Sequence, residues 1–216
     1  MYIPPQFEET RREVLVAAMR EIRLAGLVTA DGATYHATHV PVLVREDGGT
    51  LTLEAHVAKA NPHWTALDRP RASLATFQGP HAYVSPSFYA SKREHGKVVP
   101  TWNYVIVEAR GTLEAIADED WLLSHLAALT EFTEAQRPEP WATSDAPDGF
   151  IRNLSRAIVG IRFTVETLAG SWKLIQHKPE ADRRGTIDGL SASARGGDRE
   201  IARAMAALAK GDQPAS

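Results

Sequence analysis

The sequence contains no cysteine, which excludes disulfides, thiolate metal ligands and thiol nucleophiles together. Nowhere do about 18 apolar residues follow one another, so no membrane-spanning helix is expected. The start Met1-Tyr2-Ile3-Pro4-Pro5 lacks the basic and then apolar pattern of a secretory leader. There is no Gly-x-Ser-x-Gly elbow, so no nucleophilic triad can be assembled from local motifs and no catalytic residue is named. One-sided charge is also missing: 24 Lys and Arg stand against 27 Asp and Glu, a formal net charge of −3. Global attraction to DNA or to anionic lipid is therefore absent, and a polyanion would have to meet a local basic patch. These absences together lead to the expectation of a cytoplasmic protein with no membrane partner.

What is present is enough for a sizeable core. With 216 residues, 44% of them hydrophobic, the chain reads as one domain over 1–190, then a flexible link over 191–198, a last helix Arg199 to Lys210 and a disordered tail GDQPAS. Val14, Leu15, Ala18, Met19 and Ile22 share a helical face behind a Thr10-x-x-Glu13 capping box. Asp31-Gly32 and Asp47-Gly48-Gly49 mark turns, and TLTLEAHV between them and Lys59 alternates strictly, as a half-buried strand does. Tyr35 to Val44 reads as a strand whose Pro41 requires an edge or a bulge. Arg71 to Gln78 and His81 to Ser85 read as strands around Gly79-Pro80, and Val98 to Ile116 as a bent strand or a hairpin pivoting near Gly111. Asp118 caps a helix carrying Trp121, Leu122, His125, Leu129 and Phe132, and a shorter helix follows around Phe150 to Ala157. Ile158 to Val165 and Leu168 to Ile175 close the set as two further strands. Short strands without βαβ alternation predict a mainly β fold, an antiparallel barrel with peripheral helices.

Chemistry concentrates in Ser85 to Tyr104, SPSFYASKREHGKVVPTWNY. Hydroxyls (Ser85, Ser87, Ser91), cations (Lys92, Arg93, Lys97), His95 and four aromatic rings surround Pro86, Gly96 and Pro100. Cations and hydroxyls satisfy phosphate oxygens while ring faces cover a planar body, so the mixture suits a phosphorylated aromatic ligand; an irregular surface loop followed by a strand would read the same. Metal ligation is not expected, because His36 and His39, three apart on a strand, point to opposite faces, and the other histidines form no local cluster.

Four segments in order, MYIPPQF, HVAKANPHW, EHGKVVPTWNY and GSWKLIQHKPEADR, resemble the PaiB family of FMN-binding split-barrel proteins, often described as negative transcriptional regulators. The similarity runs from Met1 to about Leu190. It implies an antiparallel split β-barrel and a homodimer with FMN between two barrels. It further implies either a negative transcriptional regulator or flavin sensor, or alternatively an FMN-dependent oxidoreductase using NAD(P)H. Haem binding through His95 or His177 is a third possibility, since one related lineage binds haem. DNA enters as a partner through the family description only. Carried onto this sequence, the phosphate candidates are Lys59, Asn61, Ser85, Ser87 and Lys97, and the ring-system candidates are Trp102, Asn103, Trp172, Lys173 and Gln176. The chain departs from the family's usual KLSQN by carrying Ile175 for a hydroxyl and His177 for an amide.

Overall fold

The computed structural model describes residues 1–209. In chain order the elements are β1 (Glu8–Glu9), α1 (Arg12–Ile22), β2 (Leu24–Asp31), β3 (Thr34–Pro41), β4 (Leu43–Asp47), β5 (Thr50–Ala58) and β6 (Arg71–Val84). There follow α2 (Ser91–Glu94), β7 (Thr101–Ile116), α3 (Glu119–Glu134), α4 (Phe150–Ser155), β8 (Ile158–Lys173), α5 (Glu180–Ser191) and α6 (Gly196–Ala209). The eight strands pair in the order β3-β2-β6-β7-β8-β5-β4, with β1 added to β8. The fold is thus mainly antiparallel sheet with helices, and the ladder is an open path rather than a closed ring.

Two of the strands, β6 and β8, each run through what the sequence predicts as two. Gly79-Pro80 does not interrupt β6, because β2 pairs with it over Ser73 to Thr76 and Pro80 lies beyond that register, where a missing donor breaks no bond to β2. Residues 158–173 likewise form the single strand β8; nothing between Val165 and Leu168 is a turn former. Of the two readings of Val98 to Ile116, the strand is the one observed: Gly111 lies inside β7, where a Cβ would stand 1.9 Å from the carbonyl oxygen of Thr164. Pro41 ends β3, which sits at one end of the ladder, and the segment expected to run on to Val44 instead breaks at Val42, whose amide donates to the Arg23 carbonyl at 2.9 Å. Residues 180–191, for which the sequence names no element, form α5. The following helix starts at Gly196, and the expected link shrinks to a turn in which Ser193 Oγ donates to Asp198 Oδ2 at 2.6 Å. The tail GDQPAS lies outside the described residues.

The chain divides into two compact units. Of the described residues, the first comprises 1–21, 78–108 and 169–209. Glu8 and Glu9 pair with Ser171 and Gly170, and α1 comes so close that a Cβ on Gly170 would be 2.3 Å from Leu15 Cδ2. Its core includes Leu15, Met19, Val84, Val107, Leu174, Leu190 and Ile201. The second unit comprises residues 22–77 and 109–168. There β5 shows the predicted alternation, with Leu51, Leu53, Ala55 and Val57 buried, and β5 pairs antiparallel with both β4 and β8. The Asp118 carboxylate caps α3 by accepting from Trp121 N at 2.7 Å, and a Cβ on Gly160 would sit 2.3 Å from Trp121 Cζ3, so this strand position must be small for the indole to lie against it.

Candidate functional site

In the first unit, the chain leaving β6 is nailed down before it reaches the charged stretch. Ser85 Oγ accepts from Ser87 N at 3.2 Å and shares a hydrogen bond with Ser87 Oγ, which shapes a 3-10 turn over Pro86 to Phe88. Phe88 enters a notch on α5 made by two missing side chains: a Cβ on Gly185 would be 2.2 Å from the Phe88 carbonyl oxygen, and one on Gly189 would be 2.3 Å from its ring. Tyr89 is buried, with the Lys178 ammonium 4.6 Å from its ring centroid. Ser91 then donates twice to the buried Asp182, from N to Oδ1 at 2.9 Å and from Oγ to Oδ2 at 2.7 Å. Burial opposes the Asp182 charge, but these bonds outweigh it, and the carboxyl titrates below its ordinary range. Beyond this anchor Lys92, Arg93, Glu94, His95 and Lys97 are all exposed, with Gly96 at φ +68° and the Lys97 amide donating to His95 Nδ1 at 3.0 Å.

Asp182→Ala is therefore expected to lower stability by about 2 kcal/mol and to raise tryptic cleavage at Lys92, Arg93 and Lys97. Unchanged cleavage kinetics would show that Ser91 does not anchor this segment.

β7 re-enters the sheet with strict alternation. Trp102 is 48% exposed, Asn103 is fully buried and Tyr104 is half-buried. On the outer face the Trp102 ring lies 6.0 Å from Tyr83 and 6.1 Å from His81, and the Lys173 ammonium stands 5.5 Å from the Tyr104 ring centroid. This is a solvent-facing aromatic surface with a cation beside it. Asn103 points the other way: Nδ2 meets Met205 Sδ at 3.3 Å and its buried Oδ1 has no partner. Trp172 is buried, and the Gln176 side chain closes the turn after β8 by donating to the Trp172 carbonyl at 2.7 Å and accepting from Leu174 N at 2.9 Å. At the centre of that turn Ile175 has φ +52°, rare for a β-branched residue, with its side chain buried. The departure from KLSQN thus places an aliphatic core residue where the family has a hydroxyl. His177 packs edge-on against Phe7 at 5.4 Å, and burial, with Lys178 and Lys173, holds its imidazole below the usual range.

Lys59 and Asn61 belong to the second unit. Asn61 caps the 3-10 turn Pro62–Ala66, accepting from His63 N at 2.9 Å, and its Nδ2 donates to Thr38 Oγ1 at 3.2 Å. Its amide is fully engaged in structure. Lys59 is exposed, its backbone fixed by the Ala157 carbonyl and by Trp64 Nε1, each at 2.8 Å. It lines an open recess of about 360 Å³ with Arg156, Trp64 and the aliphatic Ile116, Leu122 and Ile158. Glu119 in that recess pairs with Arg152 at 2.7 Å. Two cations over an apolar floor suit an anion with a carbon body. Arg156 was not foreseen; it arrives from α4, about a hundred residues away in sequence, with no local signal.

Two buried histidine systems were also not foreseen. His63 is buried between Thr38 Oγ1, 3.0 Å from Nδ1, and Thr29 Oγ1, 2.9 Å from Nε2; Thr29 Oγ1 in turn meets Ser73 Oγ at 2.7 Å. Burial and then the stacked His36 hold the His63 imidazole below its usual range. His125 stacks on Trp121 and its Nε2 lies 3.2 Å from His56 Nδ1. Among the described residues no group of three or more His, Asp or Glu is placed to hold a metal ion, and none of their helices is long and apolar enough to cross a membrane.

Comparison with known proteins decides the family. A family model described as "Putative FMN-binding domain" matches residues 1–167. The chain is 30% identical over 205 residues to the protease synthase and sporulation protein PAI 2 of Bacillus subtilis, covering 95% of this chain and 96% of that one. The chain belongs to the PaiB family. An uncharacterised Aspergillus fumigatus protein, 31% identical with 88% of this chain and 90% of its own covered, extends the likeness to a eukaryote. Among solved structures, the FAD and haem binding protein of Mycobacterium smegmatis superposes with a TM-score of 0.56 at 18% identity, over 77% of this chain and 73% of that one. At that identity the similarity is one of fold, and it makes this PaiB-family chain a split-barrel protein.

Proposed function

We propose that this PaiB-family protein binds FMN and acts as a flavin- or redox-responsive regulator. The observation that carries the reading is the solvent-facing surface of Trp102, Tyr83 and His81, with Lys173 beside Tyr104, in a chain whose family model is an FMN-binding domain. Planar ring systems dock on such faces, and an aromatic surface left open in one chain also suits a second copy, so the ligand is proposed to sit in a homodimer. Bound FMN would supply one- and two-electron chemistry, while the protein supplies position and electrostatics.

The phosphate candidates are Lys97 with Ser87, beside the ring face in sequence, and Lys59, which in its own unit lines a recess with Arg156. Asn103 and Gln176 are given no direct role, since their amides are turned to Met205 and to the turn after β8. The exposed segment 92–100, held at Ser91 and at β7, is proposed to change order when flavin binds.

Titrating FMN into dialysed protein, followed by flavin fluorescence, tests this. Saturable binding is expected, weakened about tenfold or more by Trp102→Ala and by whichever of Lys59→Ala and Lys97→Ala removes the phosphate contact. No saturation with the wild type sinks the proposal. Steady oxidation of NADH or NADPH dependent on added FMN would replace the regulator reading with an oxidoreductase.

A further inference from the structure

The first unit has an open cavity that the flavin reading does not use. It measures about 510 Å³ and lies between the N-terminal segment, the turn after β8 and the last two helices, with Glu8, Glu9, Arg11, Trp172, Arg183 and Leu208 on its walls. That volume is in the range of small-molecule sites. A narrower extension of about 20 Å³ shares Arg183 and Leu208 with it and is walled by Leu174, Ile187 and Met205.

The charges on the wall are unequal in what they offer. Glu9 is saturated: Arg11 donates to it from N, Nε and the guanidinium terminus, at 2.9, 2.9 and 2.5 Å. These bonds hold the Glu9 carboxyl below its ordinary range. Arg183 is not saturated. Its Nε is buried with no hydrogen-bond partner, and its guanidinium meets no carboxylate among the described residues. A buried guanidinium N–H without an acceptor is a standing desolvation penalty that a bound carboxylate would relieve, and the planar fork matches a carboxylate's two oxygens. Trp172, Leu208 and the narrow extension give such a ligand an apolar wall for its carbon body. Glu8 faces the same cavity, so a second negative charge on the ligand meets repulsion.

We propose that this cavity is a binding site for a small monocarboxylic acid with an apolar body, held by Arg183 and selected against phosphates and dicarboxylates by Glu8. The site is separate from the flavin reading and stands whether or not FMN binds.

Calorimetric titration of the full chain with hexanoate and benzoate, beside acetate and inorganic phosphate, tests it, with thermal unfolding of each variant as the fold control. Hexanoate should bind saturably and about tenfold or more tighter than acetate, because added methylenes enter apolar surroundings. Arg183→Gln should weaken it about tenfold or more, and Arg183→Lys should fall between, keeping charge without the fork. Glu8→Gln should strengthen hexanoate binding and admit phosphate. Absence of saturable hexanoate and benzoate binding up to about 10 mM, a concentration that reads even millimolar affinity, overturns the proposal. So does an unchanged affinity in both Arg183 variants, or phosphate binding as tight as hexanoate in the wild type.

Discussion

Gly111→Ala is expected to lower the unfolding free energy by about 3–5 kcal/mol. The added Cβ would fall 1.9 Å from the Thr164 carbonyl oxygen and 3.0 Å from Phe163 Cε1. A flexible side chain could swing aside, but the Thr164 carbonyl is backbone, and Thr164 and Phe163 are themselves registered against Thr52 and Leu53 of β5. β7 and β8 must therefore separate locally, disturbing packing about the buried Phe163 and Leu113. Gly189→Ala is the comparison: its obstacle is the Phe88 ring, which can rotate, and alanine favours the helix by roughly 1 kcal/mol. Urea midpoints of the two variants check this, and a Gly111→Ala midpoint at or above that of Gly189→Ala would show the strands can part at little cost.

Acid is expected to remove about 3 kcal/mol of stability between pH 6.5 and pH 4 through His125 alone. Burial, then His56, then Arg45, push this imidazole from 6.5 down to about 4. The folded state thus binds fewer protons than the unfolded chain across that window. Stability is complete above about pH 6.5, falls as the unfolded chain takes up its proton, and stops falling from this source once the folded imidazole is also charged near pH 4. The geometry agrees with a neutral ring: His125 Nδ1 is buried without a partner, Nε2 faces His56, and the ring lies parallel to Trp121, over which Arg162 also sits at 5.5 Å. A cation here would have two other positive or protonatable neighbours and no carboxylate among its direct contacts. His56 is also held below its usual range by burial, so the two protons come off as a coupled pair. His125→Phe should flatten the stability profile between pH 6.5 and 4; an equally steep profile in that variant would move the acid sensitivity elsewhere.

What the sequence could and could not say follows from the range of the interactions. Alternation in β5, the Asp118 cap and the turns at Gly32 and Gly48 are local, and each stands where its residues predict. Strand length was misjudged at Gly79-Pro80, which lies beyond the register of β6 with β2, and at Glu166-Thr167, which β8 runs straight through; at Gly111, where strand and hairpin both stood open, the small residue answers a close neighbour that only the fold supplies. The α5 helix was not named from the sequence; its Gly185 and Gly189, poor helix formers on their own, are the notch that receives Phe88. Of the candidate ligand residues, Lys59 and Lys97 stand in loops and Trp102 and Lys173 on strands. Arg156, Arg183 and the His63 network come from distant segments meeting in space, and no spacing rule announces them.

The His63 cluster constrains how the sequence can drift. Thr29 and His63 are buried and Thr38, Ser73 and Asn61 half-buried, and the five satisfy one another, so an apolar replacement at Thr29 or His63 strands a partner at about 1–3 kcal/mol. Single steps away are thus disfavoured, whereas a joint exchange of imidazole and both threonine hydroxyls for aliphatic groups is nearly neutral. Lineages should therefore carry the polar set whole or have exchanged it as a block.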